Sequence, residues 1–189
     1  MKKVSLLLSL GLAILASCGG SGATEPAADS TATQETTQAP APVGVDAAEF
    51  DDTVQRLRNG SWVAEHKHEN GKATVRFYGS LEEYSKAAPM VALQGVDFEK
   101  SFRESELQKT FVEGPVKIMR KFPSINEVVM TMTTGDKSYT CAMTREAVEA
   151  YTGKTFQDFT DDWGANFADK HVLDDAGRLA MFEKFVTVE

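Results

Sequence analysis

The chain changes its hydrophobic pattern three times. Lys2 and Lys3 precede a twelve-residue run, Val4 to Leu15, apolar except at Ser5, Ser9 and Gly11. From Gly19 to Pro42 there is no aromatic and no branched aliphatic residue at all. From Asp46 onward, short stretches of helical and strand periodicity alternate to the end. Segments able to bury an apolar face occur only in this last part, so the folded domain is expected over 44–189.

The periodic part opens with Asp46-Ala-Ala-Glu49, the residues of a capping box. Phe50, Val54 and Leu57 follow at helical spacing up to Asn59-Gly60. Two strand-like runs then flank Asn70-Gly71, the pair that supplies two positive φ angles to a type I′ hairpin turn. That turn sets Glu69 opposite Lys72, Lys67 opposite Thr74 and Glu65 opposite Arg76 on one face. The other face takes Trp62, Ala64, His66 and His68 against Phe77, Val75 and Ala73. Opposite charges on one side and apolar grouping on the other agree with this register.

Ser80-Leu-Glu-Glu83 caps a short helix that ends before Pro89; residues 90–100 carry little pattern. Leu107, Phe111, Ile118 and Phe122 keep one stripe across Gly114-Pro115, which predicts a kinked helix or two short ones. A second hairpin is expected over 126–134 and 137–144, with Gly135 first in a type II′ turn. It pairs Met132 with Tyr139, Met130 with Cys141 and Val128 with Met143 on an apolar face. Thr144 caps a helix closed by Gly153, and Thr155 caps another striped by Phe156, Phe159, Trp163 and Phe167. Residues 174–178 read as a turn between two last strands, a third hairpin. Helix–hairpin–helix thus occurs twice, without sequence identity between the halves. The fold class is α+β: an antiparallel sheet built from hairpins, with helices on one face, in a single domain.

The first eighteen residues add an address. The apolar run is too short to span a bilayer, which takes about 20 residues, and it has the proportions of a secretory signal. It ends in Leu15-Ala16-Ser17-Cys18. A branched residue, two small ones and a cysteine resemble the lipobox of bacterial lipoproteins. The resemblance covers residues 1–18 and the spacer after them. It implies that 1–17 is a signal peptide cut away before Cys18. It also implies that the Cys18 thiol receives a diacylglycerol and that the new amine is acylated, palmitate being a typical chain. Stable anchoring takes two or more chains, so such a protein stays on its membrane. Residue 19 is Gly and not the Asp that retains such proteins at an inner membrane, which implies the outer membrane. Residues 18–43 are then the lipidated cysteine and an Ala/Thr/Ser/Pro-rich linker, too poor in apolar residues to order itself. As a coil its 25 residues reach roughly 25–30 Å.

The formal charge of −8 becomes more negative by two when Lys2 and Lys3 leave with the signal. So acidic a domain has little attraction for nucleic acid or anionic headgroups. Its partners are the membrane, through the lipid on Cys18, and an envelope protein or small ligand. With Cys18 taken by lipid, Cys141 is a lone thiol, expected to be buried.

Candidate chemistry is sparse. His66 and His68 are two apart on one strand, so both rings share a face and are the weak candidates for a metal, with His171 or an acid as third ligand. The alternative is two half-exposed polar residues at a strand end. Met130, Met132, Met143 and Cys141 make a sulfur-rich patch that would suit Cu(I), but they fall where a core is expected. Asp158, Asp161, Asp162, Asp169, Asp174 and Asp175 lack the alternating spacing of a calcium loop and read as a solvated helix face. No Gly-x-Ser-x-Gly, His-Glu-x-x-His, Ser-x-x-Lys or phosphate-binding glycine loop occurs. The sequence therefore predicts a lipid-anchored envelope protein with a non-catalytic binding domain and no cofactor. The alternatives are a small metal-assisted hydrolase using His66 and His68, or a structural or assembly lipoprotein.

Overall fold

The computed structural model describes residues 44–88 and 97–189. The lipobox, the linker and most of the weakly patterned stretch before Phe98 lie outside these residues. Helix α1 (Ala47–Gln55) starts where Asp46 accepts the Glu49 amide at 2.8 Å, and it buries Phe50 and Val54. The chain leaves it through Asn59, in the left-handed region at φ 60°, and a 3₁₀ turn, Gly60–Trp62. Strands β1 (Val63–Glu69) and β2 (Lys72–Phe77) then pair in the expected register from Glu69↔Lys72 to Glu65↔Arg76, with a bulge at Ala64. Asn70 and Gly71 take φ of 50° and 76°, as a type I′ turn requires.

Helices α2 (Leu81–Ala87) and α3 (Phe98–Ser101) lead to α4 (Glu104–Lys121). Of the two forms expected at Gly114-Pro115, a pair of short helices does not occur: α4 runs through as one eighteen-residue helix. Proline inside a helix normally leaves the carbonyl four residues back without a donor. Here that carbonyl is on Phe111, and the Cys141 thiol donates to it at 3.5 Å. Gly114 adds room, because a Cβ there would come within 2.6 Å of the Met130 methyl. The helix is continuous because the sheet beneath it replaces what proline removes.

Strands β3 (Glu127–Thr134) and β4 (Lys137–Thr144) form the second hairpin in the expected register, Val128↔Met143, Met130↔Cys141 and Met132↔Tyr139. Of its two turn residues only Gly135 has positive φ, as a type II′ turn needs. Helices α5 (Arg145–Thr152) and α6 (Phe156–Asp161) follow, capped by Thr144 and by a complete Thr155/Asp158 capping box. The aromatic stripe beyond Phe159 does not stay on α6. It passes into a ten-residue π-helix, Gly164–Leu173, that carries Phe167.

The expected third hairpin is wrong. Asp174 accepts the Gly177 amide at 2.7 Å and starts α7 (Asp175–Phe185), and only Val186–Val188 forms a strand, β5. The loose alternation of Leu179, Met181 and Phe185 misled because Phe182 completes a helical face, burying Met181 and Phe182 together.

The sheet order is β1-β2-β3-β4-β5. Three of its four joins are antiparallel; the middle one, β2 with β3, is parallel, pairing Val75 with Met130. The antiparallel sheet expected from hairpins is thus correct for each hairpin and for β5, but not where the two hairpins meet. A parallel join needs a long crossover, which α2 to α4 supply. The architecture is α+β, with one face of the sheet covered. Ala73, Val75, Phe77, Val128, Met130, Met132, Cys141 and Met143 alternate onto that face and are all at most 1% exposed. Helix α4 lies across them, with α1, α5, α6, α7 and the π-helix around it.

Candidate functional site

The alternate residues of the same strands point the other way, and among the described residues none of them is buried. This open face has two zones. Over β1 and β2 it is charged: Arg76 bridges Glu65 at 3.0 Å and Glu83 at 2.7 Å, and Lys72 meets Glu127 at 2.7 Å. Over β3 and β4 it is small and hydroxylated, with Val129, Thr131, Thr133, Ser138, Thr140 and Ala142. Two adjoining depressions, about 350 and 390 Å³, sit at the boundary and share Lys67 and Thr74. Lys67 has no ion-pair partner among the described residues. The two flanking acids and their hydrogen bonds raise the Arg76 pKa. The Gly79 amide, and then Arg76, hold the Glu83 carboxyl below its usual range. These groups keep their charges at neutral pH, which fixes the rim of the depressions while leaving Lys67 available to an acidic group on a partner.

His66 and His68 lie on the opposite, covered side of β1. Both rings meet Phe50 of α1, at centroid distances of 5.8 and 4.8 Å. His66 Nε2 is 3.1 Å from Asp51 Oδ1. Among the described residues no three His, Cys, Asp or Glu side chains are grouped to hold a metal. His171, the third ligand considered, packs instead against Tyr151 and Phe167. The geometry gives His66 and His68 a packing role at the end of the hairpin. Replacing His68 with Gln should change stability by no more than about 0.5 kcal/mol, and His66→Gln somewhat more, because it also loses Asp51. Calorimetric titration of both variants and the parent with zinc, copper and nickel checks this. Stoichiometric micromolar binding that disappears in His66→Gln would make the pair a metal site.

The other sequence candidates are structural in this fold. Met130, Met132, Met143 and Cys141 are core, and burial pushes the Cys141 thiol up to about 12. The acids of the C-terminal third do more than solvate a face. Asp158 closes the capping box, Asp162 accepts the Ala165 amide at the start of the π-helix, and Asp174 caps α7. Asp175 pairs with Arg178 at 2.6 Å.

Sequence reading missed two arginines. The buried Arg178 ties α7 to the Val172 carbonyl at 3.0 Å and to Gln108 of α4 at 3.3 Å. Arg145 crosses from α5 to the Met119 carbonyl in the last turn of α4 and to the Phe122 and Ile125 carbonyls just past it. Neither sits in a motif, and the contacts that join α4 to the rest, Arg178 to Gln108 and Arg145 to Met119, span 70 and 26 residues, so no local signal marks them.

Among the described residues, the fold is an α+β domain with one sheet face that no helix covers. No helix among the described residues is long and apolar enough to cross a membrane. Comparison with protein-family models, with curated proteins and with solved structures finds no match.

Proposed function

We propose that this chain is a lipoprotein of the bacterial cell envelope, held on the outer membrane by acyl chains on Cys18, with a non-catalytic binding domain. The observation that carries the reading is Leu15-Ala16-Ser17-Cys18 at the end of a short apolar core behind two lysines. The composition of the following residues fits a tether of roughly 25–30 Å. A tethered acidic domain gains nothing from the bilayer surface itself, so its contacts are with other envelope components. The open face of β1 to β4 is the surface offered to them: small hydroxylated side chains flanked by fixed charges, with Lys67 unpaired among the described residues. Such a face fits an extended or flat protein surface better than a buried small molecule.

Cys18→Ser removes the thiol that accepts the diacylglycerol, so the variant is expected to remain an uncleaved, unacylated precursor. Intact mass of membrane-extracted protein reads this directly. A parent protein cut elsewhere and carrying no acyl chain would end the lipoprotein reading. For the binding face, a photo-crosslinking residue at Thr131 or Thr140 should capture a discrete envelope partner in native membranes, whereas one at Glu146 on α5 should not. Equal capture from both positions would move the binding surface elsewhere. A partner that is itself an envelope assembly would make the domain an assembly factor.

A further inference from the structure

His171 is a buried titratable side chain of the π-helix that makes no hydrogen bond at Nδ1 among the described residues. It lies near the end of the π-helix, is 3% exposed, and has a ring held between Tyr151 of α5 at 5.7 Å and Phe167 at 5.4 Å. Its Nδ1 is buried with no hydrogen-bond partner. The neutral ring with its proton on Nε2 keeps only a lone pair inside, which is tolerable. A proton on Nδ1 would place a buried donor and a positive charge there with no acceptor.

The slot also joins elements. Tyr151 touches Phe185 at the end of α7 as well as His171. Helix α7 leads into β5, whose backbone closes the edge of β4 from Cys141↔Val186 to Tyr139↔Val188, with Ser138 and Glu189 exchanging hydrogen bonds of 2.8 and 2.9 Å. A π-helix is a wide, rarely adopted turn that ordinary α-helix competes with. Its packing is what holds it, and His171 is part of that packing.

We propose that His171 is an acid-operated latch: a proton taken from solvent at Nδ1 releases the π-helix, α7 and β5 from their packed positions.

The charges around the ring favour this direction. Burial, and then Lys170 beside it, lower the pKa of His171 below its usual value. Among the described residues no acid pairs with the ring. On α7, Asp175 is committed to Arg178, and Glu183 and Lys184 are exposed. On α6, Asp158 is held in its capping box, and on α4 Arg120 lies over Trp163. On α5, Glu149 accepts the Phe156 amide. The sign follows: with the folded pKa below the unfolded value near 6.5, the stabilisation is whole above about pH 6.5 and is lost as pH falls through the folded pKa.

Hydrogen exchange of the full chain in detergent, corrected for intrinsic rates, tests the latch. Between pH 7 and pH 5 the protection of residues 164–188 should fall, by up to about twenty-five-fold if the folded ring stays neutral at pH 5. The β1–β2 hairpin should hold. His171→Phe keeps an aromatic ring without the proton site and should abolish the fall. Unchanged protection in the parent, or an equal fall in His171→Phe, overturns the proposal. A titration that needs no folded His171 variant stands beside it. The chain has three histidines, so the imidazole resonance that survives in both His66→Gln and His68→Gln belongs to His171. It should titrate below about 6.5; titration at or above that value also overturns the latch.

Discussion

Arg145→Ala should cost about 3 kcal/mol, more than loss of any surface ion pair in the domain. Nη2 of Arg145 donates to the Met119 carbonyl at 2.6 Å, to Ile125 at 3.1 Å and, more weakly, to Phe122 at 3.4 Å. The last carbonyls of a helix have no partner within it, and here the surrounding side chains, Met119, Phe122 and Ile125, are at most 5% exposed. Water therefore has poor access to replace the guanidinium. The cation also complements the negative end of α4 and stacks over Phe156 at 4.1 Å. Burial lowers the Arg145 pKa, with Glu149 opposing, yet a guanidinium stays charged at any relevant pH. Urea unfolding of Arg145→Ala and Arg145→Lys reads the contribution. Lysine should recover only part of it, because an ammonium has donors for the carbonyls but no planar cation to stack over Phe156. A loss below about 1 kcal/mol in the alanine variant would mean that water serves those carbonyls after all.

Gly177→Ala should destabilise by about 2 kcal/mol, against what helix propensity alone expects. Alanine is the better helix former by about 1 kcal/mol. Gly177 has no unusual φ, so no backbone strain enters. The obstacle is contact: a Cβ at this position runs into the backbone carbonyl of Lys170 and lies 3.2 Å from Asp174 Oδ2. Backbone cannot step aside as a side chain can, and overpacking of this kind costs about 1–3 kcal/mol or more. Steric cost exceeds the propensity gain. The check is a urea midpoint for the variant beside the parent; a stabilised Gly177→Ala would show that the π-helix yields easily at Lys170.

The arginine effect depends on contacts over twenty residues or more, and the glycine effect on how the π-helix is set against the start of α7; neither is written in a local sequence pattern. The candidate site divides in the same way. Alternation along β1 to β4 already separated an apolar face from a charged and hydroxylated one, so the composition of the open face was legible. That it stays open, and that its depressions form beside Lys67, follows from where α4 and its neighbours pack. His66 and His68 were rightly placed on one side of their strand, but their contacts with Phe50 and Asp51 required α1 to be in position.

What the sequence determined by itself was local. The turns Asn70-Gly71 and Gly135-Asp136 impose both hairpin registers, because few residues tolerate the φ angles those turns need and a period of two carries the consequence down each strand. The caps at Asp46, Ser80, Thr144 and Thr155 start four helices through bonds only three residues long. Tertiary structure decided the rest. It chose the parallel join of β2 to β3, which no short-range contact specifies. It kept α4 whole, by bringing the Cys141 thiol to the carbonyl that Pro115 had left without a donor. It made residues 175–185 a helix and 164–173 a π-helix, where several backbone paths were locally comparable and burial of Phe167, His171, Arg178, Met181 and Phe182 separated them.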